Sequence, residues 1–173
     1  MSDAASHSAI ETLRDGRRVE IRALRPDDRS GLEDAVGRSS AEFLHRRFFA
    51  VKRNFSEREV AFFLNVDFVN HVALVAVADD GGGPVIIGGG RYIVGQPGQA
   101  EVAFGVVDQY QGRGIGAALM RHLIALAREA GLKELIAEVL PENAPMLTVF
   151  RKSGLPMTTT REPGVVHVAL RLS

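Results

Sequence analysis

The chain contains no cysteine among its 173 residues. That one absence excludes disulfides, thiolate metal ligands and a cysteine nucleophile together. An excess of charge is missing too, since 21 lysines and arginines balance 21 aspartates and glutamates. A balanced chain has no electrostatic footprint for nucleic acid or for an anionic membrane, so neither is expected as a partner. No apolar run reaches the roughly 20 residues that a spanning helix needs. Met1 to Ser8 lack the basic flank and apolar stretch of a signal peptide, so a cytoplasmic setting is expected. The histidines at 7, 45, 71, 122 and 167 show no H-E-x-x-H or similar spacing, so no metal site is expected.

What is present is an ordinary globular composition, 46% apolar and 24% charged. The length suits one domain that buries roughly 70% of its unfolded surface. No repeat and no long linker divides it. A disordered tail over residues 1–8 and a single domain over 9–173 are expected.

The strongest local signal lies between Glu101 and Ala130. Val102 to Val107 is apolar and β-branched, and reads as a strand. Gln111-Gly112-Arg113-Gly114-Ile115-Gly116 follows as a glycine-dense turn and leads into an amphipathic helix. Leu119, Leu123, Leu126 and Ala130 share one stripe of that helix, and Gly131 supplies its stop. Glycines let the main chain approach a bulky ligand without Cβ clashes. The first N–H groups of a helix are unpaired and carry a partial positive charge. No acidic residue lies between Gln111 and Arg128 to cancel that charge, and Arg113 adds to it. The stretch therefore reads as an anion cradle suited to a pyrophosphate. Two nucleotide patterns fail here: the glycines at 112, 114 and 116 do not make G-x-G-x-x-G, and no Gly-Lys-Ser/Thr follows.

Before this stretch, Asp15-Gly16 marks a hairpin between short strand-like runs within Glu11 to Arg25, with Val19, Ile21 and Ala23 on one face. Pro26-Asp27-Asp28 opens a helix expected to reach about Gly37. Capping boxes at Ser39 to Glu42 and Ser56 to Glu59 open two more. Phe43, Phe48, Phe49 and Phe55 stand among basic residues, and read as core or substrate-channel aromatics. His71 to Ala78 and Val85 to Val94 read as strands, the second broken by Gly88-Gly89-Gly90, where a bulge or close backbone approach is expected. After the cradle helix, Leu135 to Leu140 reads as a strand parallel to its neighbour. A helix capped by Asn143 and ended by Gly154 comes next. Thr158 to Thr160 and Val165 to Leu170 make a closing hairpin around Pro163-Gly164.

This order of elements, with Gln-x-x-Gly-x-Gly at 111–116 and AEVLPENAPMLTVFRKSGL at 137–155, resembles the GNAT superfamily of N-acetyltransferases over nearly the whole chain. The resemblance implies an α+β (α/β/α) fold: a mixed, mostly antiparallel sheet whose central parallel pair is splayed, flanked by helices. LRDGRRVEIRALRPDD, RRFF at 46–49, HVALVAV at 71–77 and AEVAFGVVD resemble more narrowly the acetyltransferase domain of bacterial protein lysine acetyltransferases. Those enzymes modify acyl-CoA synthetases, and many carry a regulatory module that these 173 residues do not contain.

The resemblance implies acetyl-CoA as co-substrate. Its expected contacts are Phe104, Val106 and Val107 on the central strand, then Gln111, Gly112, Arg113, Gly114, Ile115 and Gly116 in the loop. Asn143, Met146 and Phe150 would complete the set, with Asn143 holding the pantetheine arm. A lysine amine has a reference pKa of roughly 10.4, so a base must take its proton. Glu101 is the expected base, placed as in the similar lysine acetyltransferases, and Glu42 is a second candidate. Main-chain N–H groups near Phe104 to Val106 are expected to hold the carbonyl oxygen, where negative charge develops. Many superfamily members place a thiolate-protonating tyrosine where this chain has Phe150. A thiol has a pKa of roughly 8.5, so coenzyme A leaves readily without it. Three functions follow: acetylation of protein lysines, acetylation of a small amine, or acyl-CoA sensing without transfer. A monomer or homodimer is expected.

Overall fold

The computed structural model describes residues 4–28, 30–31, 66–79 and 81–172. Within them lie strands β1 (Ser8–Thr12), β2 (Arg18–Ala23), β3 (His71–Asp79), β4 (Pro84–Val94), β5 (Gln99–Val106), β6 (Glu134–Val139), β7 (Met157–Glu162) and β8 (Val165–Arg171). Helix α1 spans Ile115–Glu129 and α2 spans Ala144–Arg151. The strands form one sheet in the order β1-β2-β3-β4-β5-β6-β8-β7. Every neighbouring pair is antiparallel except β5 and β6, which run parallel. Helix α1 joins those two, as a parallel pairing requires a crossover.

Side-chain alternation assigns the faces. Val19, Ile21 and Ala23 of β2 are buried, while their neighbours on the strand are not. In β6 and β8, Leu135, Ala137 and Val139 match Val166, Val168 and Leu170 on the buried side. Strand β3 is buried at every position from His71 to Ala78, so its two faces are both covered. The glycine run in β4 has two uses. The register slips between Ala76 and Val77, opposite Gly88 and Ile86, which is the expected bulge. A Cβ at Gly90 would stand 2.9 Å from Leu123 Cδ1 and 3.0 Å from Phe104 Cβ, so glycine lets α1 lie close on the sheet.

Helix α1 buries Leu119, Leu123 and Leu126 as the stripe predicts. Ala130 is instead the exposed C-cap, and Ala127 is buried on that face. The end is a Schellman turn: Leu132 N–H donates to the Ala127 carbonyl, Gly131 N–H to that of Arg128, and Gly131 has φ 80°.

Of the expected disordered tail over 1–8, residues 4–8 are described and lie against the domain, and 1–3 are outside the described residues. Ala4–Ser6 form a 3-10 turn and Ser8 already begins β1. Ala23 N–H donates to the His7 carbonyl, and the His7 ring bonds to His122 of α1 at 2.7 Å. Tertiary partners more than a hundred residues away order a segment whose own composition gives no signal. The hairpin around Asp15-Gly16 is present, with Gly16 at φ 89°. Pro26–Asp28 form a single 3-10 turn, with Ser30 and Gly31 helical after it. The remainder of that expected helix, the helices from Ser39 and Ser56, and Phe43, Phe48, Phe49 and Phe55 lie outside the described residues.

Candidate active site

Strands β5 and β6 stay together for only three registered pairs, Gln99↔Glu134, Ala100↔Leu135 and Glu101↔Ile136, and then part. Beyond that point β5 pairs only with β4, and β6 only with β8. The ladder shows which groups the parting uncovers. Val107 N–H donates to the Ile87 carbonyl at 2.8 Å, and Gly95 N–H to that of Gln99 at 3.2 Å. Odd-numbered residues of β5 therefore exchange their main-chain bonds with β4. Phe104 and Val106, at even positions, turn their N–H groups toward the side where β6 has left. Val107 does not: its N–H is spent on Ile87 and its carbonyl on Tyr110 N–H, so its main chain has no N–H to offer a ligand.

The loop after β5 opens α1. Gly112 and Gly114 have φ 78° and 91°, which only glycine adopts without strain, and the space a Cβ would enter at each is empty. Gly114 is the N-cap, and Ala118 N–H makes the first helical bond to its carbonyl at 3.0 Å. The N–H groups of Ile115, Gly116 and Ala117 thus form the unpaired helix end. Ile115 has its side chain in the core. Gly116 serves packing: a Cβ there would lie 3.4 Å from the Phe104 ring. Gln111 braces the loop by donating from Nε2 to the Val106 carbonyl at 3.0 Å. Arg113 lies with its guanidinium 5.5 Å above the Tyr110 ring and bonds Asp15 of the β1–β2 turn at 2.8 Å. The Asp15 carboxyl is held below its ordinary range, first by Arg17 N–H and then by Arg113.

Helix α2 borders the parting. Asn143 caps it, with Oδ1 accepting from Met146 N–H at 3.3 Å. Its residue is only 7% exposed, yet Nδ2 has no partner among the described residues. A buried amide that donates to nothing marks a place where a ligand acceptor belongs. Asn143, Met146 and Phe150 line a cleft with Val102, Ala137 and Glu138 of the parted strands. Phe150 is buried edge-on against Phe104, with ring centroids 5.6 Å apart.

Glu101 sits at the apex of the parting, on the sheet face opposite α1. Its carboxylate is exposed and has no hydrogen-bond or ion-pair partner among the described residues. It lines a second cleft with Glu138, Thr158, Thr160 and His167. Ala137 and Glu138 border both clefts, so the two meet across the opening between the strands. The structure thus gathers Glu101, Phe104, Val106, Asn143, Met146 and Phe150 at the parting, with Gln111 to Gly116 at its loop end. Glu42 lies outside the described residues. Sequence reasoning missed Glu138 and His167, although alternation along β6 already puts Glu138 on the face opposite its buried residues. Among the described residues no group of three metal-ligating side chains is assembled, and no helix is long and apolar enough to cross a membrane.

A parallel pair that parts beside a glycine loop and a helix N-terminus has the form of an acyltransferase domain. The acetyltransferase (GNAT) family model matches residues 39–155. The chain belongs to this family and is an N-acetyltransferase. Among its relatives is Acetyltransferase PA5475 of Pseudomonas aeruginosa, 35% identical over 79% of this chain and 74% of that protein. Acetyltransferase Pat of Mycolicibacterium smegmatis is 33% identical over 82% of this chain, but the chain spans only 42% of that protein's length. Among solved structures, the GNAT domain of S. lividans PAT superposes with a TM-score of 0.85 at 37% identity, covering 95% of this chain and 96% of that one.

Proposed function

We propose that the protein transfers the acetyl group of acetyl-CoA to the side-chain amine of lysine on an acceptor protein, with Glu101 as the base. The observation that carries this reading is the parting of β5 from β6. It leaves around one opening two main-chain N–H groups, and a carboxylate and a buried amide that have no partner among the described residues. The resemblance of LRDGRRVEIRALRPDD, RRFF at 46–49 and HVALVAV at 71–77 to bacterial protein lysine acetyltransferases supports a protein acceptor.

In this reading the N–H groups at the start of α1, with Arg113, hold the diphosphate. Nδ2 of Asn143 donates to the pantetheine arm, which lies in the cleft between Val102 and Phe150. The acceptor ammonium enters from the opposite face and loses a proton to the Glu101 carboxylate, directly or through one water. The freed nitrogen lone pair attacks the thioester carbonyl carbon. Phe104 and Val106 N–H donate to the carbonyl oxygen as it gains charge, a contribution of the oxyanion-hole kind. The C–S bond then breaks and the sulfur leaves as thiolate. Phe150 has no proton to give, so the thiolate takes the second proton of the acceptor nitrogen, directly or through water, and the product is a neutral amide.

The test supplies labelled acetyl-CoA together with an acyl-CoA synthetase, a cell lysate and a panel of small amines. Acetyl-lysine on protein, found by mass spectrometry and absent with Glu101→Gln, is the expected result. Label on small amines alone would overturn the protein acceptor, and binding without any transfer would overturn the enzyme reading.

A further inference from the structure

Glu101 and Glu138 flank the opening from the two strands that part. The register sets Glu101 against Ile136. Glu138 is two residues further along β6, on the same face as Ile136, and is thus the first β6 side chain past the parting on the Glu101 side. Among the described residues it is the one charged residue that borders both clefts, the one beside Asn143 and the one beside Glu101, and no lysine or arginine lines either. His167 is the other ionisable neighbour described in the Glu101 cleft, with Nδ1 4.0 Å from Glu138 and Nε2 3.4 Å from Glu162. His167 faces Glu138 across the β6–β8 ladder, so it limits where the Glu138 carboxylate can swing.

A single carboxylate would suffice to take a proton. Two of them around one opening, with no lysine or arginine beside them among the described residues, do something further: they attract the amine in its charged form. We propose that Glu138 is the specificity-determining residue of this enzyme, holding the incoming acceptor as an ammonium ion before Glu101 removes its proton. The inference rests on the reading of the parting as the place of acetyl transfer, and it narrows the acceptor to amines that are cationic at neutral pH. The proton itself goes to Glu101, so Glu138 acts on capture of the acceptor and leaves the chemical step alone. His167 is a positioning residue for Glu138.

The experiment compares two nucleophiles at pH 7 with acetyl-CoA as donor: Nα-acetyl-lysine amide, a primary ammonium, and hydroxylamine, which is uncharged there. Glu138→Gln is expected to raise KM for the lysine amide about tenfold, the scale of losing one charged hydrogen-bond partner. The loss is expected to fall on KM for the lysine amide and to exceed any change seen with hydroxylamine, and Glu138→Asp is expected to restore most of the affinity. In the wild type, added salt should raise KM for the lysine amide and leave hydroxylamine unaffected, because exposed charges are screened. Equal effects of Glu138→Gln on both nucleophiles, or none on either, overturn the assignment. So does a fall in kcat with KM unchanged, which would make Glu138 a proton carrier. If the wild type uses hydroxylamine and not the lysine amide, the transferase reading stands and the cationic acceptor falls. Absence of transfer to either nucleophile and to any protein in the lysate overturns the transfer reading and this assignment with it.

Discussion

The two halves of the sheet are built from similar residues and end in opposite states. From β1 to β4 each strand stays paired with the next, through a bulge at Ala76 and Val77, and β3 lies buried along eight consecutive positions. Its polar groups are matched: Arg22 reaches Asp28 through two hydrogen bonds of 2.9 Å, and Arg91 contacts His71 at 2.8 Å. Between β5 and β6 the ladder stops after three pairs, and the Glu101 carboxylate and Asn143 Nδ2 have no partner among the described residues. The contrast teaches that pairing and chemistry divide the molecule. Where polar groups are satisfied they hold the fold, and where the sheet withholds a partner they are available to substrate.

Substitutions on the two sides should therefore separate stability from activity. The largest effect is expected from Glu101→Gln, a loss of about a hundredfold to ten-thousandfold in kcat at neutral pH. Its melting temperature should not move, because the carboxylate is exposed and unpartnered; a steady-state assay beside a thermal melt checks both. Asp28→Asn should do the reverse. It strands the Arg22 guanidinium, whose side chain is only 11% exposed, and should cost about 3 kcal/mol of stability, read by denaturant titration. Transfer at low temperature should stay near the wild-type rate.

The Asp28 pair also predicts a pH dependence. Burial alone would raise the Asp28 pKa, but the Arg22 hydrogen bonds and the Arg25 N–H outweigh it, and the net shift is downward. Its stabilisation is therefore complete above the unfolded carboxylate value of about 3.9 and is lost as pH falls through the lower folded value. Denaturation midpoints that fall on acidification in the wild type, and fall less steeply in Asp28→Asn, would confirm this.

A smaller effect belongs to Asn143, which serves both sides of the comparison. Asn143→Ala removes the cap of α2 as well as the free amide, and should cost about 1 kcal/mol of stability. Asn143→Asp keeps an accepting oxygen for Met146 N–H and loses only the donor. It should leave the melting temperature in place and raise KM for acetyl-CoA about tenfold.

The smallest effect is expected at the clasp that ties the N-terminal strand to α1. His7 bonds His122, and His122 bonds Glu11, each at 2.7 Å. Burial, and then the charge of His122, hold the His7 pKa below its ordinary value, against an opposing pull from Glu129. Unfolded, this ring binds its proton more readily, so the contribution is present above about pH 6.5 and is lost as pH falls through the lowered value. Protection factors of β1 amides, corrected for the intrinsic pH dependence of exchange, should fall at pH 5.5 relative to 7.5 while those of β3 do not change in step.

Much of the closed half and the glycine loop was legible in the sequence because their signals are local. Alternation gave β2, the Asp-Gly turn gave the hairpin, and Gly112, Gly114 and Gly131 marked positions whose φ is positive. Asn143 was legible as a cap because capping depends on a few adjacent residues. The open half was less so. Whether β6 stays beside β5 depends on β8, which arrives some thirty residues later and takes β6 over its full length. Glu138, His167 and Thr160 share a face only through that pairing. The Arg113–Asp15 bond spans 98 positions, and the order of the N-terminal segment depends on His122. The main chain of Val107, a residue expected among the ligand contacts, is taken up within the protein by ladder parity, which no composition argument reveals.

The claim that the unpaired groups at the parting receive a thioester is tested most directly by calorimetric titration of acetyl-CoA into the wild-type protein. The account predicts saturable heat at one equivalent, weakened when acetyl-pantetheine, which lacks the diphosphate, replaces the full molecule. No heat with acetyl-CoA would contradict it.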